Sequence, residues 1–192
     1  MKKQLSFLFI LCLICWLDAC NNAASDKDSV EKADSANEKK ADSSAKVMAV
    51  DEETSDFMVK AANGGMMEVE LGRIAKEKAK SQRAKEFGNM MVEDHSKLND
   101  ELKGLAAHKN VSLPASVGED TQKHIDDLNK KSGADFDKAY MKMMVDDHKE
   151  DIELFEKDSS SGKDPDVRAW AAKALPTLRK HLAAAKSINS KL

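Results

Sequence analysis

The sequence predicts an all-α protein, a four-helix bundle with one long crossover. Three observations carry this expectation. Ala, Lys, Glu, Met and Leu dominate the body of the chain and only three prolines occur, Pro114, Pro165 and Pro176, so helix formers are abundant and breakers few. Apolar residues recur at steps of three and four along four separate segments, the spacing of a buried helical stripe. One connection, between the second and third segments, is long enough to run the length of a bundle.

The chain opens with a leader rather than with the fold. Met1-Lys2-Lys3 is basic, and Leu5 to Leu17 is an almost unbroken apolar run of 13 residues, too short for a membrane span. It closes on Leu17-Asp18-Ala19-Cys20, similar to the bacterial lipoprotein signal in which a cysteine at the end of the run is lipidated and becomes N-terminal. Residues 1–20 are therefore expected to be a signal peptide ending at lipidated Cys20, and the protein to be tethered to the membrane by that anchor. Ordinary secretion with cleavage nearby is the alternative. The three cysteines, Cys12, Cys15 and Cys20, all lie here, so no disulfide holds the body. Residues 21–50 are Ser, Asp, Lys, Ala, Glu and Asn with scarcely an apolar side chain. Such a segment buries too little surface to offset ordering entropy, and it is expected to be a disordered stalk. Residues 51–192 form one domain of ordinary size.

The first predicted helix runs from Thr54 to Ala79, with Thr54, Ser55 or Asp56 as its cap; its stripe reads Phe57, Ala61, Gly64, Glu68, Leu71, Ala75. The second, Ser81 to Lys109, carries Ala84, Phe87, Met91, His95, Leu98, Leu102 and Leu105. The connection from Asn110 to Gly133 contains a short helical segment, Glu119 to Lys130. A twelve-residue helix spans roughly 18 Å and about eleven extended residues add some 36 Å, enough to cross a bundle end to end. One such crossover joining two helical hairpins is the ferritin-like connectivity. The third helix, Ala134 to Lys157, carries Phe136, Tyr140, Met144, His148, Ile152 and Phe155. The fourth starts at Asp164-Pro165, a cap followed by proline in the first turn, and carries Val167, Trp170, Ala174, Leu178, His181, Ala185 and Ile188. Pro176 lies inside it and is expected to kink it.

Four polar residues interrupt these stripes: Glu68, His95, His148 and His181, one per helix and each near the midpoint. In an antiparallel bundle the midpoints share one level, so a carboxylate and three imidazoles can converge where an uncompensated polar group is costly. Four nitrogen or oxygen ligands suit a single zinc, iron, manganese or copper ion. The competing reading is a hydrogen-bonded polar core without metal. Asp94 and Asp147 point about 100° around their helices from the neighbouring histidines, a position from which they can orient a histidine on the next helix. Met90-Met91-Val92-Glu93-Asp94-His95 recurs as Met143-Met144-Val145-Asp146-Asp147-His148, a local echo across the second and third helices. Met91 and Met144, one turn before their histidines, could add thioethers to a copper site, but methionine at this spacing is first a core filler. A paired-iron centre of the ferritin type needs Glu-x-x-His on two helices. Val92 and Val145 occupy those glutamate positions.

Asp56-Phe57, Gly64-Gly65-x-x-Glu68-Val69, Met91-Val92-x-Asp94-His95, Phe136-Asp137-x-x-Tyr140 and Leu175-Pro176-x-Leu178-x-x-His181-Leu182 together resemble a bacterial envelope family known only as predicted outer-membrane proteins, an uncharacterised domain of the ferritin-like superfamily. The resemblance covers residues 52–190. It implies a ferritin-like fold and an envelope location, and carries no established activity.

The remaining features narrow the function classes. Net charge is −3, basic and acidic residues are interleaved, and aromatics are sparse, which gives no footprint for nucleic acid. No nucleophile elbow, phosphate loop or zinc-protease motif is present, so an enzyme would need an open position on a bound metal. Gly64-Gly65 inside a helix should be compensated, by close packing of a neighbouring helix or by room beside Glu68. His108 and His124 are expected in solvent, as are the charged runs Lys76-Glu77-Lys78 and Lys149-Glu150-Asp151. The leading expectation is thus an envelope-tethered metal-binding bundle, and the alternative a non-enzymatic envelope interaction or stress protein with a structural polar core. Replacing Cys20 by Ser should abolish labelling by an acyl-chain analogue and move the protein out of the membrane fraction; a variant that stays membrane-bound would refute the anchor.

Overall fold

A computed structural model describes residues 28–42 and 50–192. The leader with Cys20, and residues 21–27 and 43–49 of the expected stalk, lie outside the described residues. The helices are α1 (Ser29–Asp42), α2 (Glu52–Lys78), α3 (Gln82–His108), α4 (Glu119–Asn129), α5 (Gly133–Ser161) and α6 (Pro165–Asn189). Among the described residues the sole β pairing is an isolated bridge between Ala79 and Gly133. No helix of the described residues is long and apolar enough to cross a membrane. The all-α expectation holds, and α2, α3, α5 and α6 are the four stripes read from the sequence.

Local chemistry sets the ends. Asp51, rather than Thr54, Ser55 or Asp56, caps α2, its carboxylate accepting from the Thr54 backbone N–H at 3.3 Å and the Thr54 hydroxyl at 2.8 Å. Ser81 caps α3, and Asp164 caps α6 ahead of Pro165. α6 continues through Pro176, which the sequence suggested would kink it. Proline deprives the Ala172 carbonyl of its helical donor, but both residues face solvent, where water replaces the bond.

The two hairpins are α2–α3 and α5–α6; α2 also packs beside α5 and α3 beside α6. Two ties define the ends of the bundle. The Asp137 carboxylate of α5 accepts from the backbone N–H groups of Lys80 and Ser81 at 2.9 and 2.7 Å, so α5 begins beside the α2–α3 turn. Lys109, at the far end of α3, pairs with Asp164 and Asp166 at the start of α6, at 2.8 and 2.6 Å. The crossover must therefore run the whole bundle, as its length predicted. It buries Ile125 and Leu128 of α4 against the core on the way.

The expected stalk is partly folded. Residues 29–42 form α1, which packs along α2. Asn37 clasps Ser112 of the crossover with both ends of its amide, donating to the carbonyl at 3.0 Å and accepting from the N–H at 2.7 Å. The Ser29 hydroxyl accepts from Ala115 and Ser116 N–H at 3.0 and 3.1 Å, and Lys40 donates to the Asn110 carbonyl at 2.9 Å. Apolar content does not reveal such a segment, because it is held by satisfying the crossover's exposed backbone rather than by burying hydrocarbon.

The apolar core is split in two. One cluster, with Leu71, Phe87, Met91, Phe136, Tyr140 and Met144, fills the half near the α2–α3 turn. The other, with Phe57, Leu102, Phe155, Trp170, Leu175 and Leu178, fills the opposite half. In the first half α2 and α3 meet backbone to backbone. A Cβ at Gly72 would lie 2.6 Å from the Gly88 carbonyl oxygen, and one at Gly88 would lie 2.7 Å from that of Gly72. Replacing Gly88 by Ala should therefore destabilise the protein by about 1–3 kcal/mol despite alanine's better helix propensity, because a backbone carbonyl cannot step aside. Gly104 of α3 faces open space, and there the same substitution should stabilise by about 0.5–1 kcal/mol. Thermal melts of the two variants, shifted in opposite directions, are the check.

Candidate metal centre

Between the two apolar clusters, each bundle helix contributes one polar side chain to a common layer. Glu68 of α2, His95 of α3, His148 of α5 and His181 of α6 are 1 %, 3 %, 0 % and 0 % exposed. The three imidazole rings form a nearly equilateral triangle, with centroids 5.6 Å apart for His95–His148, 5.1 Å for His95–His181 and 5.3 Å for His148–His181.

Every ring keeps one nitrogen on an oxygen. His95 Nδ1 lies 2.6 Å from Glu68 Oε2, His148 Nδ1 lies 3.0 Å from the Met144 carbonyl oxygen, and His181 Nε2 lies 2.8 Å from Asp94 Oδ2. The nitrogens left over are His95 Nε2, His148 Nε2 and His181 Nδ1, the first and last of them 3.2 Å apart. One nitrogen from each ring lies within 4.8 Å of those of the other two, a spacing that can hold a metal ion. Imidazoles whose second nitrogen is fixed by a carboxylate or carbonyl are the usual form of histidine ligands.

Without an ion the same contacts assign the protons. His181 Nε2–H donates to Asp94, so its Nδ1 must accept, and His95 Nε2–H is the donor. That leaves His95 Nδ1 bare, and Glu68 Oε2–H must donate to it. Electrostatics agree with this chain. Burial, aided by the nearby charge of Asp151, raises the Glu68 carboxyl well above the usual range. Burial also lowers His95 and His181 to about 4 and His148 to about 2, so all three rings are neutral at pH 7. The relay runs from the core to Asp94, whose side chain is 37 % exposed.

Three atoms of this group remain unmatched, Asp147 Oδ2 among them. Glu68 Oε1 and His148 Nε2 face each other at 3.2 Å, both buried and neither with a hydrogen-bond partner. Asp147, expected to orient a histidine on the next helix, instead turns its carboxyl into a group with Glu68 and His148. Burial above all, together with the crowding of neighbouring carboxyl groups, raises it far above its ordinary value. This second group can also hold a cation, but it shares His148 Nε2 with the three-histidine group. Because His148 Nδ1 is committed to Met144, His148 can serve only one ion at a time.

Sequence reasoning missed Asp151. It was assigned to the solvent face with Lys149 and Glu150, which are indeed exposed. Asp151 instead lies over Gly64, its Oδ1 3.5 Å from where a Cβ would stand, and burial pushes it up to about 6. A Cβ at Gly65 would overlap the Asn99 side chain. Gly64-Gly65 thus makes room for polar side chains beside Glu68. The available signal was the i, i+4 spacing of Asp147 and Asp151 opposite that glycine pair. Met91 and Met144 lie fully buried in the apolar cluster on one side of the layer, and His108 and His124 are exposed.

A neutral Glu68 makes the metal-free protein tolerant of an amide at this position. Glu68→Gln retains a donor for His95 Nδ1 and should cost no more than roughly 1 kcal/mol. Glu68→Ala, which leaves that nitrogen unpaired beside a cavity, should cost about 3 kcal/mol. Denaturant melts in chelator at pH 7 distinguish them, and equal losses would show that the hydrogen bond to His95 does not account for the stability Glu68 provides.

Comparison with known proteins relates the chain to a fold and a family. A crystal structure of a DUF305 fragment from Deinococcus radiodurans is similar over 75 % of this chain and 99 % of its own, with a TM-score of 0.66 and 8 % sequence identity. At that identity the likeness shows the helical fold alone. No curated protein matches the sequence. Residues 22–188 match DUF4142, a domain of unknown function, a span that takes in α1 as well as the bundle. The chain belongs to the DUF4142 family.

Proposed function

We propose that this protein binds a single transition-metal ion through His95, His148 and His181, in a bundle tethered to a bacterial envelope membrane by lipid on Cys20. The observation that carries the reading is the division of labour on the three rings: one nitrogen of each is held by Glu68, Met144 or Asp94, and the others are left within reach of one another. Three neutral imidazoles suit zinc, copper or iron better than a hard oxygen-seeking cation, and manganese fits if Glu68 joins them. Bound there, the ion would supply positive charge to a core that already holds Glu68, Asp94, Asp147 and Asp151. The outer-membrane location rests on the resemblance of the sequence motifs and on the leader.

Loading has a proton cost that the residues define. His95 must free Nε2, so its proton moves to Nδ1 and is donated to Glu68 Oε2, which gives up its own. One proton therefore leaves per ion. Affinity should rise with pH while Glu68 is still protonated, and level off once pH exceeds its raised value.

The rival reading, a non-enzymatic envelope interaction or stress protein with a structural polar core, draws on the metal-free relay, which satisfies His95 and His181 without an ion. Elemental analysis of protein purified without chelator, followed by calorimetric titration in buffers of different ionisation enthalpy, separates the two. One ion per chain, about one proton released, and loss of the ion in His148→Ala with the fold retained are expected. Protein without stoichiometric metal, whose melting temperature is unmoved by zinc, iron, manganese and copper, would establish the structural core instead.

A further inference from the structure

One turn from the imidazole layer, toward the half of the core that holds Trp170, lies a cavity of about 10 Å³ lined by all four bundle helices. Its polar lining consists of Glu68, His95, Asn99, Asp151 and Trp170. That volume is what a single water molecule needs, provided two to four polar groups are in reach. Trp170 is 9 % exposed, and its indole Nε1–H is buried with no acceptor. Glu68, whose buried Oε1 faces His148 Nε2 and the Asp147 carboxyl, lines the cavity from the other side. Both residues line the same water-sized space, and a buried donor such as the indole N–H is almost always partnered.

We propose that this cavity is a binding site for one ordered water, which accepts from Trp170 Nε1–H and donates to the carboxyl groups of Glu68 and Asp151. Ala61, Gly65, Leu98, Phe155 and Leu178 form the rest of the wall and offer a water no polar side chain. The Gly64-Gly65 pair is what admits Asp151 and Asn99 to this level of the bundle. The water links the aromatic half of the core to the carboxyl that holds His95, so it helps to position the proposed ligand set. Nothing larger than water fits, and an organic substrate has no room at this face of the layer. The water site follows from cavity and partners alone and does not require the ion; only its effect on ion affinity rests on the metal reading.

The test is a water-selective NMR experiment on the ¹⁵N-labelled, metal-free full chain. The Trp170 indole resonance is identified by its loss in Trp170→Phe. A dipolar cross-peak between that indole proton and a long-lived water is expected, and it should vanish in Ala61→Val, which fills the cavity. An indole proton with no water cross-peak, or one whose sign in the rotating frame is that of chemical exchange, would overturn the proposal whether or not Ala61→Val folds. In ion-loaded protein, Trp170→Phe should weaken ion binding by roughly tenfold, the usual effect of losing a partner behind a ligand. Unchanged affinity would remove the water from the positioning of Glu68. Protein that binds no ion but shows the cross-peak would sink the metal reading and leave the water site standing.

Discussion

A layer of three imidazoles and a carboxyl crosses an otherwise apolar core, and each bundle helix must bring one side chain to it. That requirement couples the axial register of the four helices. If α6 slid by one turn, His181 would lose both Asp94 and His95 and enter the apolar half beside Phe87 and Met144 or the half beside Phe57 and Phe155. Hydrocarbon packing alone tolerates such slips, since methionine, leucine and alanine are nearly interchangeable in a bundle core. Directional bonds in a low-dielectric interior do not. The remaining ties hold the same register from outside: Asp137 at the α2–α3 turn, Lys109 at the α6 start and the Gly72–Gly88 contact that sets the spacing of α2 and α3.

The layer has two compatible states of protonation, which is what makes it chemically capable as well as structural. In one, a neutral Glu68 donates into a chain that ends at Asp94 on the surface. In the other, which the proposed ion would require, Glu68 is a carboxylate accepting from His95, and His95 Nε2 and His181 Nδ1 are freed to join His148 Nε2. The side chains need not move between them; the protons do. Burial is the common cause, because it disfavours every isolated charge in the layer and so ties the ionisation of Glu68 to the arrival of an opposite one. Asp147 and Asp151 deepen that coupling by placing further acidic groups on α5 beside Glu68.

Much of this was legible in the sequence. The stripe on α6, from Val167 to Ile188, is buried residue for residue, and the length of the 110–133 connection implied its course along the whole bundle. Glu68, His95, His148 and His181 stood out because each breaks an apolar period of 3.6 residues. Less was legible where the partner lies on another helix. Asp147 and Asp151 share a charged run with exposed neighbours, and only the gap over Gly64 turns Asp151 inward. Gly72 and Gly88 are isolated glycines in separate helices, and nothing local says that they touch. Segment 29–42 escapes a local reading for a related reason: its hydrogen-bond partners, Asn110 to Ser116, lie 70 to 87 residues away.

The sequence by itself determined that the chain is all-α, where its four long helices lie, and which four polar side chains share the middle of the bundle, because periodicity and mid-helix position are local properties. Tertiary structure alone decided what those side chains do to one another. Whether Glu68 stands free as a fourth donor or holds His95, which nitrogen of each ring is left over, and which aspartates join the layer depend on helix rotation and on distances of a few ångströms between elements. Those are set by packing, and the assignment of protons along Asp94, His181, His95 and Glu68 follows only once the four are seen in contact.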